Sequence, residues 1–179
     1  MIIKYFILLI KSYKFFIINV LIYELIYILK GYKGNSFSIT RNEKSNNNIP
    51  CPYFLLHKIN NFIKKNKIKS FVDLGCGSGR SIYFFNKKYK INYFGIEHIE
   101  ETYKNCKKLF VKDQNVQIVN DNFMNLEFLK IEGDCYFIND PLKDRNEFNN
   151  LIFEIIEKNK LIKKKIYLIL ANIEKERLK

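Results

Sequence analysis

Ten consecutive residues, Phe71-Val72-Asp73-Leu74-Gly75-Cys76-Gly77-Ser78-Gly79-Arg80, carry the densest chemical signal in this 179-residue chain. Three of its seven glycines alternate across 75–79, directly after an apolar run that ends in an acid and a leucine. Glycine is needed where backbone turns with positive φ or where a ligand must touch the main chain. A glycine loop at the carboxyl end of the first strand of an α/β sheet is where such folds bind nucleotides. The spacing then selects the ligand. A dinucleotide fingerprint needs glycine where Arg80 stands, which disfavours a dehydrogenase, and a P-loop needs a terminal G-K-[ST]. The pattern present is D-x-G-x-G-x-G. An acid ahead of the glycines repels a pyrophosphate and attracts an ammonium group, so the ligand should carry a cationic or zwitterionic tail.

Two further clusters agree. Glu97 closes a second apolar run twenty residues after Gly77, the offset at which a carboxylate accepts hydrogen bonds from ribose hydroxyls. Asn120-Asp121-Asn122-Phe123 closes a third run, where an amide or carboxylate can meet an exocyclic amine and an aromatic can flank the ring. An adenosine with a charged amino-acid tail is S-adenosylmethionine, the expected cofactor. No metal site is expected.

On these residues the chain resembles the class I S-adenosylmethionine-dependent methyltransferases, across roughly residues 50–171. VDLGCGSG is similar to the family's first motif, FGIE to its acidic second strand, VNDNF to its adenine segment and YFINDPL (Tyr136–Leu142) to its fourth motif. CPYFLLHKI is similar to a lead-in of small bacterial members, which often carry a hydrophobic N-terminal stretch. The resemblance implies that Asp73 and the loop of Gly75, Cys76, Gly77, Ser78 and Gly79 hold the methionine tail and that Glu97 holds the ribose. It implies that His98 lines the adenine, that Asp121, Asn122 and Phe123 complete that pocket, and that Asn139, Asp140 and Pro141 border the acceptor. Methyl transfer from a sulfonium asks the protein mainly to align and desolvate the reactants. Asp140 is the candidate base, with Asn139 beside it, and the ordinary alternative for Asp140 is capping the helix that begins at Arg145.

The elements that must position these residues follow from periodicity. Strands are expected at Ser70–Leu74, Asn92–Glu97, Val116–Asn120, Asp134–Asn139 and Lys165–Leu170. Between them lie helices at Arg80–Lys88, Glu100–Lys112, near Met124–Leu129, and at Arg145–Leu161. Strand–helix alternation at this spacing implies right-handed crossovers and an open, mostly parallel Rossmann-like sheet with helices on both faces. A helix after Pro52 precedes it, with Tyr53 read as a core residue. Five strands are fewer than the seven usual in this fold, so the last strands are expected to be lacking. The exposed edge would then invite a homodimer.

The domain plan is a hydrophobic, amphipathic helix over 1–30, a polar linker over 31–49, and the cofactor-binding domain over 50–179. Lys4, Lys11 and Lys14 form one cationic stripe on an otherwise apolar helix. Phe15–Leu29 is too short for a span and is interrupted by Asn19 and Glu24. Three readings stand for this segment: an interfacial helix on an anionic membrane, a helix packed on the domain or a second subunit, and a true span. The net charge is +13, but 27 of the 31 basic residues are Lys and 22 residues are Asn. That composition follows A/T-rich codons, and a nucleic-acid surface favours Arg, so nucleic acid is an unexpected partner. Four cysteines without a C-x-x-C pair exclude a zinc ribbon and a disulfide scaffold. The expectation is a cytoplasmic methyltransferase, peripheral to the membrane on the interfacial reading, with an unidentified acceptor: a protein amine, a lipid or a small molecule. The alternatives are a non-catalytic S-adenosylmethionine-binding protein and a nucleic-acid methyltransferase.

Overall fold

The computed structural model describes residues 17–35, 49–122, 124, 133–139 and 142–172. Among these, ten elements follow one another. They are α1 (Ile17–Leu29), α2 (Tyr53–Lys65), β1 (Ser70–Leu74), α3 (Arg80–Asn86), β2 (Asn92–Glu97), α4 (Glu100–Leu109), β3 (Val116–Asn120), β4 (Cys135–Asn139), α5 (Arg145–Leu161) and β5 (Tyr167–Ala171). The strands form one sheet in the order β3-β2-β1-β4-β5. Every pairing is parallel. The chain therefore starts mid-sheet, works outward to β3, returns across β1 and continues to β5. The point of reversal, between β1 and β4, is where open α/β sheets form a crevice.

Alternation along β1 divides the core. Phe71 faces a layer with Ile82, Phe84 and Phe85 of α3, Cys106 of α4, Leu56 and Ile63 of α2, and Tyr27 of α1. Val72 and Leu74 face Phe148, Leu151 and Ile155 of α5. All five β1 residues are buried, as expected of a central strand covered on both faces. The expected fold class thus holds, and the described strands are all parallel.

Element ends differ from expectation by a few residues. α3 stops at Asn86 and α4 at Leu109, because tight turns take over: the Lys88 amide donates to Phe85 O and the Asp113 amide to Phe110 O. Asp144, and not Asp140, caps α5, its carboxylate accepting from the Glu147 amide at 2.8 Å. That geometry stabilises a helix by about 1 kcal/mol. The helix expected near Met124–Leu129 lies, apart from Met124, outside the described residues.

α1 is built into this layer. It packs along α2 and buries Val20, Glu24 and Tyr27. The Tyr27 ring stacks on Tyr53 with centroids 4.6 Å apart. Tyr53 is fully buried, as read from the sequence. Among the described residues no helix is long and apolar enough to cross a membrane.

Candidate active site

The loop between β1 and α3 is shaped by its three glycines. Gly75, Gly77 and Gly79 all have positive φ, at 79°, 53° and 81°, where a side chain is strained. At Gly79 a Cβ would also come within 2.7 Å of Cys106 Sγ. The Gly75 and Cys76 amides both donate to Ile96 O, at 2.9 and 3.0 Å, hooking the loop over the end of β2.

Glu97 locks the same corner. Its side chain accepts from the Gly77 amide at 2.9 Å through Oε2 and from the Ile99 amide at 2.8 Å through Oε1. It is buried, and each carboxylate oxygen keeps a second lone pair for a further donor. The Asn120 carboxamide ties the end of β3 to this corner, donating to Glu97 O at 2.8 Å.

Asp73 lies at the end of β1 with 2% of its surface exposed. Burial pushes its carboxyl up to about 7, and the charge of Glu97 adds to the rise. The Ser81 hydroxyl donates to Asp73 Oδ2 and opposes the shift. A buried acid whose proton is held by desolvation is a group whose ionised form an incoming ammonium would stabilise. Asp73 forms part of a small open cleft, together with Gly75, Ser78 and Ser81 of the loop region, Pro50 and Cys51 before α2, and Asn139 at the end of β4.

A family model described as "Methyltransferase domain" matches residues 72–156, the span that holds Asp73, the glycine loop, Glu97 and Asn139. That span is just under half of the chain. Among solved structures, it is similar to the S-adenosylhomocysteine-bound methyltransferase PaMTH1 of Podospora anserina, with 16% identity and a TM-score of 0.52 over 62% of this chain and 49% of that one. It is also similar to the methyltransferase domain of bacterial CtHen1-CN, with 14% identity and a TM-score of 0.49 over 57% of each chain. At such identity the first likeness shows the fold. The matched part thus spans about half the length of these structures. No curated protein sequence matches the chain significantly.

Of the residues singled out in the sequence, Asp73, Gly75, Cys76, Ser78 and Asn139 line this cleft. Gly77 and Glu97 meet behind the loop. His98 is half-exposed, with Nδ1 3.6 Å from Glu97 Oε1. Asp121 and Asn122 form a local turn, Asp121 Oδ1 accepting from the Asn122 amide at 2.6 Å and Asn122 Oδ1 from the Met124 amide at 3.0 Å. The Asn139 carboxamide is engaged on both sides. It donates to Ile49 O at 2.9 Å and accepts from Asn172 at 2.6 Å, holding the Ile49–Pro50 wall of the cleft. The Cys76 thiol contacts Cys106 Sγ at 4.0 Å, and that contact together with burial pushes it well above the usual thiol range. Phe123, Asp140 and Pro141 lie outside the described residues.

Sequence reasoning missed part of the wall of the cleft. Arg80, read only as the residue that breaks a dinucleotide fingerprint, lines the cleft and is 3% exposed. Its Nη1 bonds Glu24 Oε1 and Oε2 of α1 at 3.1 and 2.9 Å and Cys51 O at 3.3 Å. Its guanidinium lies 4.5 Å over the Tyr53 ring. Glu24 also accepts from the Tyr53 amide at 2.8 Å, and the Ser78 hydroxyl donates to Gly34 O at 2.6 Å. Helix α1, for which packing on the domain was one of three readings, and the segment read as a linker thus grip the glycine loop. One signal was available: Glu24 is the sole acid in the first 42 residues, and Arg80 is one of four arginines in the chain.

Proposed function

We propose that this chain binds S-adenosylmethionine in the cleft and transfers its methyl group to an acceptor that enters beside Asn139. The observation that carries the reading is the placement of two buried acids, Asp73 and Glu97, on adjacent strand ends around a loop with three positive-φ glycines. The donor set fits the group. Asp73 would hold the ammonium of the methionine tail, the loop backbone would lie against that tail, and the remaining lone pairs of Glu97 would accept from the ribose hydroxyls. His98, Asp121, Asn122 and Phe123 would border the adenine. When bound, the cofactor supplies an electrophilic methyl on a sulfonium.

The protein's own work in this reading is positional. Asp73 and Glu97 fix the two ends of the ligand, while the half-enclosed cleft removes water from the line of displacement. The Asn139–Ile49 bond keeps the acceptor side open at a fixed width. Asp140, next in the chain, is the proposed acceptor of the substrate proton. The acceptor itself is a protein amine, a lipid or a small molecule, met in this reading at a membrane surface.

Calorimetric titration of the full chain with S-adenosylhomocysteine tests the donor assignment. Micromolar binding to the wild type, lost in both Asp73→Ala and Glu97→Ala, is the expected result. Undiminished binding by either folded variant would remove that residue from the proposed site. Absence of binding by the folded wild type would refute the reading.

A further inference from the structure

The described residues expose ten large apolar side chains, and six of them stand on the thirteen-residue helix α1: Ile18, Ile22, Leu25, Ile26, Ile28 and Leu29. The other four, Val111, Phe153, Leu161 and Ile162, are scattered. At 100° per residue, Ile18, Ile22, Leu25 and Leu29 fall within a sector of about 60°. They oppose the face that buries Val20, Glu24 and Tyr27. Contiguous exposed apolar surface of this kind marks an interaction site.

Charge identifies the occupant. Residues 1–35 contain five lysines, Lys4, Lys11, Lys14, Lys30 and Lys33, and one acid, Glu24. In the sequence Glu24 reads as an interruption that spoils a membrane-facing helix. The structure places it on the opposite face, 0% exposed and neutralised by Arg80 at 2.9 Å. Among the described residues 17–35, exposed Lys30 and Lys33 follow the outward apolar side chains, and no carboxylate is exposed there. An apolar helix face flanked by lysines and free of exposed acids is complementary to an anionic lipid surface.

We propose that the Ile18–Ile22–Leu25–Leu29 face of α1 docks on the surface of an anionic phospholipid bilayer, with α1 lying in the interface. The Glu24–Arg80 pair makes this anchor rigid with respect to the cofactor cleft, because Arg80 is itself part of the cleft wall. Docking then holds the cleft one helix layer from the bilayer. The lipid-docking surface stands apart from the cofactor assignment, and the two can fail separately.

The test is co-sedimentation of the full chain with vesicles of phosphatidylcholine alone and with about 30 mol% phosphatidylserine. The wild type is expected to partition onto the anionic vesicles, and less so as salt rises. Ile18→Ser/Leu25→Ser/Leu29→Ser should lose that partitioning while keeping the wild-type thermal midpoint, since all three side chains are more than half exposed. Lys30→Ser and Lys33→Ser should each weaken it by about fivefold, on anionic vesicles only. Titration of the same preparations with S-adenosylhomocysteine should be unchanged by the triple substitution. Failure of vesicle binding with ligand binding intact would overturn the docking inference alone. Vesicle binding that survives the triple substitution would overturn it too, because another surface would be responsible. A dimer by light scattering that the triple substitution dissociates, without vesicle binding, would assign the face to a second copy of the chain.

Discussion

Replacing Asp73 by Asn isolates the energetic cost of the cleft's most buried acid. The unfolded chain releases the Asp73 proton near 3.8, whereas the folded chain retains it up to about 7. Between those values the folded state binds more protons than the unfolded one, so Asp73 makes stability fall as pH rises through that window. The rise from 3.8 to about 7 corresponds to a cost on the order of 4 kcal/mol once the group is fully ionised above pH 8. At pH 5 the cost is roughly 2 kcal/mol, and below pH 4 it vanishes. Asn keeps the shape and a partner for Ser81 while removing the charge. The expected outcome is a variant more stable than the wild type at pH 8, by several degrees in thermal midpoint at about 2–4 °C per kcal/mol. The difference should shrink at pH 5. The same variant should lose S-adenosylhomocysteine binding, since the ammonium loses its counter-charge. In the wild type, affinity should drop about tenfold from pH 8 to pH 6 as the empty site becomes protonated. Scanning calorimetry across that pH range, with ligand titration in parallel, measures both. A variant that is less stable than the wild type at pH 8 would refute the argument, because the carboxylate would then be held by interactions that outweigh its burial.

Three further outcomes are expected. Glu24→Gln leaves a buried guanidinium without its carboxylate, and urea unfolding should report a loss of about 3 kcal/mol. A loss under about 1 kcal/mol would mean that solvent reaches the pair. Gly34→Ala should cost more than Gly31→Ala in the same assay. Both have positive φ, but only at Gly34 would a Cβ come within 2.6 Å of the Arg80 backbone, with open space at Gly31. Equal losses would show that the strand of chain over Arg80 yields freely. Finally, Glu97→Gln should weaken S-adenosylhomocysteine binding without unfolding the loop, because the amide oxygen can still accept from Gly77 or Ile99. Unchanged affinity would remove the ribose contact.

Much of the domain was legible because its signals are local. Ser70–Leu74, Asn92–Glu97 and Val116–Asn120 are strands as read, since short apolar runs bounded by Gly, Asn and Lys leave little choice of element. The glycine loop was legible for a similar reason: positive φ at 75, 77 and 79 is a demand on residue type. The end of Val116–Asn120 was legible as a strand end, yet what Asn120 does there was not. Its carboxamide reaches back to Glu97 O across a register that only strand pairing creates. The capping of α5 went to Asp144 because the cap must stand directly before the first helical residue. Asn139 was read as bordering the acceptor, and it does line the cleft. Its side chain, however, is spent on Ile49 and Asn172, partners 90 and 33 residues away in the chain.

The sequence by itself determined the sheet, the glycine loop and the two acids that flank it, because each depends on neighbours within a few residues or on a fixed strand-to-strand offset. Only the tertiary structure decided what Glu24 and Arg80 are for. Fifty-six residues separate them, and neither has a local motif. A lone acid in an apolar helix and a lone arginine after a glycine loop each look like an interruption. Burial makes them a pair, since a charge removed from water is tolerated when its opposite is removed with it. That pair decides between the readings left open for α1, fixing it behind the Arg80 wall of the cleft and leaving its other face, apolar and free of acids, turned outward.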